Sequence, residues 1–142
     1  MSNQLTLKVV TPHRTVMVED VDSVTLPGSE GELGILPEHV PVLTTLDSGI
    51  MSYSISGKTK AIAVHWGYAQ VEGNSVRVLA ELAETAAEID LERAKNAEIK
   101  AKEILVSVTS STAEWEAEES RQKKYESKLK RSIVRQKVAQ YL

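Results

Sequence analysis

Of the seven glycines and four prolines in the chain, none lies beyond residue 84. Strands and tight turns use both residues, whereas a helix interior excludes them. The chain is therefore read in two parts, a strand-forming stretch of residues 1–86 and a helix-forming stretch of residues 87–142. Before the change come the short runs LTLKVV, RTVMVED, VDSVTLPG, PVLTTL, GIMSYSI, KAIAVHWG, YAQVEG and SVRVLAEL. They alternate in polarity and are rich in β-branched residues, as half-buried strands are. In the last, Val76, Val78, Ala80 and Leu82 are expected on one face. Many short strands with no helix between them favour an antiparallel sandwich or barrel. His65-Trp66 reads as a strand end. Phe is absent, so the core must be built from Val, Leu, Ile and Ala.

Beyond the change, Leu91, Ala94, Ala97, Ala101, Ile104, Leu105 and Val108 fall on one helical stripe. Asp90 has the right chemistry for its N-cap, and Glu98 with Lys102 makes a favourable i,i+4 pair. This helix is expected to end near Ser107–Thr112, where Ser111 and Glu114 form a capping box for a second helix. The second stripe is thin: Trp115, Tyr125, Leu129, Ile133, Val134 and Val138. Two helices joined by a short polar link make an antiparallel hairpin. With so little apolar surface, this element is expected to be held marginally and to move.

Charge divides the same way. Residues 121–142 carry eight basic groups against one acid, Glu126, a charge of +7, which leaves −10 for residues 1–120 of a chain whose total is −3. Such a tail suits nucleic acid, an acidic surface or an acidic protein. Only Tyr125 and Tyr141 offer stacking within it, which weakens the nucleic-acid alternative. There is no cysteine, so thiol catalysis, disulfides and Cys-based zinc are excluded. The opening residues MSNQLTLKVV carry neither a basic nor an apolar leader pattern. No apolar run approaches the ~20 residues that span a bilayer.

The stretch LPGSEGELGILPEHVPVL, from Leu26 to Leu43, invites a phosphate-loop reading because Gly28, Gly31 and Gly34 recur every three residues. It lacks the Lys and hydroxyl of a P-loop, no helix follows, and Glu30 and Glu32 would repel phosphate. Tight β turns, with the glycines at positive φ, are expected instead, or a contact surface for a basic partner. His13, His39 and His65 share no metal-ligand spacing, and no nucleophile, base or carboxylate pair is recognisable, so neither a metal nor catalysis is expected.

Leu26 to Gly49 (LPGSEGELGILPEHVPVLTTLDSG), then HWGYAQVEGNSVRVLAELAE, then IDLERA at Ile89 to Ala94, stand in an order that resembles the epsilon subunits of bacterial and chloroplast F-type ATP synthases. The resemblance covers essentially the whole chain. Trp66 departs from it, since glycine is more usual before Gly67, and the second helix is more basic than expected. The resemblance implies a β-sandwich bound to the gamma subunit and the c-subunit ring within the central rotor stalk. It implies a hairpin that extends into the alpha/beta catalytic head and inhibits ATP hydrolysis, with chemistry left to another subunit. Lys123, Lys124, Lys128, Lys130, Arg131 and Arg135 would then meet acidic loops of that head, attracted over a Debye length of about 8 Å. Glu32 is expected against the ring and His39 against gamma, with Glu30 a further partner contact. No cofactor is required; a regulatory ATP is allowed. By the resemblance Ile89, Asp90, Arg93 and Ala94 contact it, Arg93 on phosphate and Asp90 on the ribose or adenine side, with Arg121 as candidate partner. The plainer alternative makes Asp90 an N-cap and Arg93 a first-turn residue. Membrane association is expected only through the complex, at the cytoplasmic face of the bacterial cell membrane, with the thylakoid as alternative.

Overall fold

Alternating side chains dictate a two-faced sheet, and the computed structural model, which describes residues 4–107 and 115–141, folds the first part accordingly. Its strands are β1 (Leu5–Val10), β2 (Thr15–Val21), β3 (Ser23–Gly28), β4 (Gly31–Ile35), β5 (Val42–Leu46), β6 (Gly49–Ile55), β7 (Lys58–Glu72) and β8 (Ser75–Thr85). They pair in the order β2-β1-β8-β7-β5-β3-β4, and β6 bridges β3 and β7. The β1–β8 pair is parallel and the others are antiparallel. The sandwich core is aliphatic, with Leu5, Leu7, Leu26, Ile35, Met51 and Ile62 among its fully buried members. A 3-10 turn (Ala86–Glu88) leads to α1 (Leu91–Ser107) and then α2 (Trp115–Ala139).

Several expectations about strands change, beginning with the parallel β1–β8 pair in a sheet expected to be antiparallel. GELGI contains two glycines and reads as turn, yet it forms β4, because Val24 pairs with Ile35 and Leu26 with Leu33 across the β3–β4 hairpin. Of its three glycines only Gly31 takes positive φ, at 127°. Gly28 is needed for close approach instead, since a Cβ there would lie 2.7 Å from the Gly31 carbonyl oxygen. KAIAVHWG and YAQVEG are one 15-residue strand, so His65-Trp66 sits within β7 and not at its end.

At that point β7 changes phase. Trp66 has φ 52° and Gly67 φ 149°, both in the left-handed range. Before the break the even residues Ile62 and Val64 enter the sandwich core; after it the odd residues Ala69 and Val71 do. β8 follows: Val76, Val78 and Ala80 point inward, then Ala83. Leu82, expected with the first three, is therefore 40% exposed. A bulky residue at such a φ costs of order 1–3 kcal/mol. At Gly67 a Cβ would stand 2.0 Å from the Leu79 carbonyl oxygen, so only glycine fits.

The hairpin needs a cap and a stripe; α1 has its cap, but its stripe is narrower than expected, since Leu91 at its start is 38% exposed. Asp90 accepts a hydrogen bond from the Arg93 backbone N–H at 3.1 Å, the N-cap expected of it. Lys102 and Glu98 pair at 2.8 Å. Ala94 and Ala101 are buried on α1, Val134 and Val138 on α2. The capping box at Ser111 and Glu114, Val108, and the Trp115 side chain lie outside the described residues. Gly67→Ala should cost about 3 kcal/mol or more in denaturant unfolding, whereas Gly34→Ala, with open space around it, should stay within about 0.5 kcal/mol. Equal losses would refute the close-approach account.

Candidate functional site

The outer face of the first half of β7 carries small side chains, and α2 lies against them. Val134 and Val138 bury with Ala61 and Ala63, and Ile50, Ala86 and Ile89 pack at the margin. That apolar contact is small, and ions frame it. Lys130 Nζ donates to Asp47 Oδ2 at 2.6 Å, and Arg135 Nε donates to Glu84 Oε1 at 2.6 Å. Gln136 ties α2 to α1 by donating to Glu98 at 2.6 Å. Lys130 holds the Asp47 carboxyl below its ordinary pKa. The His65 ring first, and Arg135 with it, do the same for Glu84, against burial, which opposes them. His65 is itself fully buried, with Nδ1 3.3 Å from Ser48 Oγ and Nε2 3.7 Å from Glu84.

Between α1, α2 and the end of β8 lies a cavity of about 480 Å³. It gathers Asp90, Arg93 and Ala94 from IDLERA, and Lys128, Arg131 and Arg135 from α2. The basic residues of α2 as a set cover every face, but 128, 131 and 135 recur at i, i+3 and i+7 and so share one. That spacing was the signal available for this wall. Lys100, at i+7 from Arg93, completes the α1 side by the same rule. Glu84, Glu88 and Tyr125 also line the cavity, and no local pattern marks them.

The charge balance of the cavity favours an anion. Each of its three acids is engaged: Glu84 by Arg135, Glu88 by Arg14, and Asp90 by the Arg93 backbone. Arg14 holds the Glu88 carboxyl below its usual range. Among the described residues, Arg93, Lys100, Lys128 and Arg131 have no carboxylate within ion-pair distance. Arg131 lies over the Trp66 ring, 5.2 Å from its centroid. Burial, and then Arg135, push the Arg131 guanidinium below its usual value.

Other expected site residues are dispersed. Ile89 packs beneath the hairpin, and Arg121 lies off the cavity, 5.9 Å from the Tyr125 ring. Lys124 also stands 5.9 Å from that ring, and Lys123 pairs with Glu119 at 3.5 Å. Glu30 and Glu32 are exposed at the tip of the β3–β4 hairpin. His39 is half-buried and donates from Nδ1 to the Val40 carbonyl at 2.7 Å. Among the described residues no group of three His, Asp or Glu could hold a metal, and no helix is long and apolar enough to cross a membrane.

Residues 4–86 match the family model described as the ATP synthase delta/epsilon chain, beta-sandwich domain. An ATP synthase epsilon chain from Carboxydothermus hydrogenoformans is 51% identical over 105 residues, covering 74% of this chain and 78% of that one. One from Geotalea daltonii is 42% identical over 139 residues, 98% of this chain and 96% of its own length, so the likeness runs through both helices. Among solved structures, a chain in the Euglena gracilis mitochondrial ATP synthase (OSCP/F1/c-ring) superposes with a TM-score of 0.74 at 22% identity, over 92% of this chain and 78% of that one. A chain of the Tetrahymena thermophila central stalk and c-ring gives 0.60 at 13% identity, over 95% and 96%. At these identities the structural likeness is one of fold.

Docking of α2 should depend on pH with a fixed sign. Asp47 and Glu84 titrate below their ordinary values in the docked state, so their contribution is full above about pH 4.5 and is lost as pH falls through the lowered values. Amide exchange should show α2 losing protection in acid before the sandwich does. At neutral pH, Glu84→Gln should weaken docking by about 1–3 kcal/mol and the more exposed Asp47→Asn by under about 1 kcal/mol. Unchanged α2 exchange in Glu84→Gln would show that these ions do not hold the hairpin.

Proposed function

The chain belongs to the epsilon-chain family of ATP synthase, and from that membership we propose that it works in the central stalk as a non-catalytic subunit whose hairpin restrains ATP hydrolysis. The observation that carries the reading is how the hairpin is held: by a small apolar contact and by Lys130 and Arg135 on Asp47 and Glu84. Such a dock can be undone, because the half-exposed Lys130–Asp47 pair contributes little, Arg135–Glu84 is a single, less exposed pair, and four buried apolar side chains bury little surface. Once released, residues 87–142 present the same cations to whatever acidic surface they reach. The docked and the braking arrangements therefore compete for the same side chains.

In this proposal the sandwich faces the rotor. Leu36, Val40 and Leu43 are 64%, 70% and 71% exposed, and His39 lies among them, which suits a mixed apolar and polar contact with the gamma subunit. Glu30 and Glu32, on a hairpin at the end of the strand order, suit the polar loops of the c-subunit ring. The alpha/beta head is the target of the extended hairpin, and membrane association comes through the complex, on the cytoplasmic side. Lys128, Arg131 and Arg135 face the cavity, a poor arrangement for tracking a nucleic-acid backbone.

The cavity suits a nucleotide as regulator. Arg93, Lys100, Lys128 and Arg131 supply uncommitted cations for a polyphosphate, and Asp90, beside the buried Ala94, suits a ribose or base. Because α1, α2 and β8 all contribute walls, a ligand held there favours the docked hairpin by mass action.

Deleting residues 89–142 should raise ATP hydrolysis of the assembled enzyme without preventing assembly; hydrolysis no faster under several nucleotide conditions would remove the brake. Calorimetry of the full chain should show ATP binding at millimolar affinity or better, weakened roughly tenfold by Arg93→Ala. Absence of binding would remove the nucleotide from the proposal while leaving the brake.

A further inference from the structure

The break in β7 needs a residue at left-handed φ before Gly67, and glycine would meet that need without strain. An indole stands there instead, at φ 52°. Strain of this kind persists where the side chain is put to use. The half-buried Trp66 ring faces α2, and Arg131 Cζ lies 5.2 Å from its centroid. Arg131 is the α2 guanidinium that lines the cavity without a carboxylate partner: Arg135 is paired with Glu84, while Lys128 lies 5.0 Å from the Tyr125 ring. Burial and Arg135 both disfavour its charge. An aromatic face attracts a guanidinium through its plane and leaves its N–H donors for an oxyanion, which a carboxylate partner would not.

We propose that Trp66 is a positioning residue for the candidate nucleotide pocket: its ring holds the Arg131 guanidinium at the cavity wall, so that phosphate binding and hairpin docking draw on one side chain. The proposal rests on the nucleotide reading of the cavity. It adds a residue that does not itself line the cavity and acts through one that does. It also links the sandwich to the pocket at a second point, beside the Glu84–Arg135 pair.

The test is calorimetric titration of the full chain with ATP, in a double-mutant cycle of Trp66→Gly and Arg131→Ala, with α2 amide exchange measured in parallel. Glycine adopts φ 52° freely, so Trp66→Gly should keep the sandwich folded; Trp66→Asn, which tolerates that φ and carries no ring, repeats the test should glycine unfold. Trp66→Gly should weaken ATP binding roughly tenfold and speed α2 exchange, and Trp66→Phe should stay within about threefold of wild type. In the Arg131→Ala background, Trp66→Gly should have no further effect on affinity. Additive losses, or an unchanged affinity in Trp66→Gly, would overturn the positioning role. A wild-type chain that binds no ATP would overturn the pocket reading and this proposal with it, whereas wild-type binding with an additive cycle would overturn this proposal alone.

Discussion

Everything the hairpin does depends on the phase change in β7. A continuous strand of 15 residues would keep one parity facing the core throughout. The left-handed step at Trp66 and Gly67 inverts that parity, so that Ile62 and Val64 serve the core on one side of the break and Ala69 and Val71 on the other. Ala61 and Ala63 are thereby turned outward as a flat, small-residue floor, and α2 settles on it. His65 is buried at the same edge, and Trp66 rises beside it to meet Arg131. One backbone irregularity thus positions the floor, the ion pairs around it and one wall of the cavity.

The dock combines two weak kinds of contact. Apolar burial between α2 and the sheet is confined to a few short side chains, and the flanking ion pairs are partly solvated. Neither is strong alone, because surface pairs are screened and alanines contribute little area. Their sum is a dock of modest strength with apolar and ionic parts. Each acid of the cavity has a partner, Glu84 in Arg135, Glu88 in Arg14 and Asp90 in the Arg93 backbone, while several of its cations pair with no carboxylate. The lining carries more basic than acidic side chains.

Much of this was legible in the sequence. The strand and helix regimes, the Asp90 cap, the Glu98–Lys102 pair and the two-part fold follow from period and punctuation, which local physics controls. β4 was hidden because its two glycines look like turn, while its pairing with β3 is a tertiary gain. Leu82 and His65-Trp66 were misplaced because a parity change leaves no mark on composition; only the left-handed φ reveals it. In the cavity, Asp90, Arg93 and Ala94 could be named beforehand, and Arg131 and Arg135 were recognised as cations but not as wall residues. Glu84 and Asp47 could not be found, since each is a lone acid whose partner lies far along the chain.

The parallel pairing of β1 with β8 has a mechanical meaning. β8 runs between β1 and β7 and passes into the hairpin through a single 3-10 turn. A pull on the helices is therefore directed along β8 and loads its hydrogen bonds to both neighbours in shear, all at once, rather than peeling them one by one. Tension on the helices is spread over two ladders within the sheet. The helices are thus joined to the sandwich at an interior strand and not at an edge.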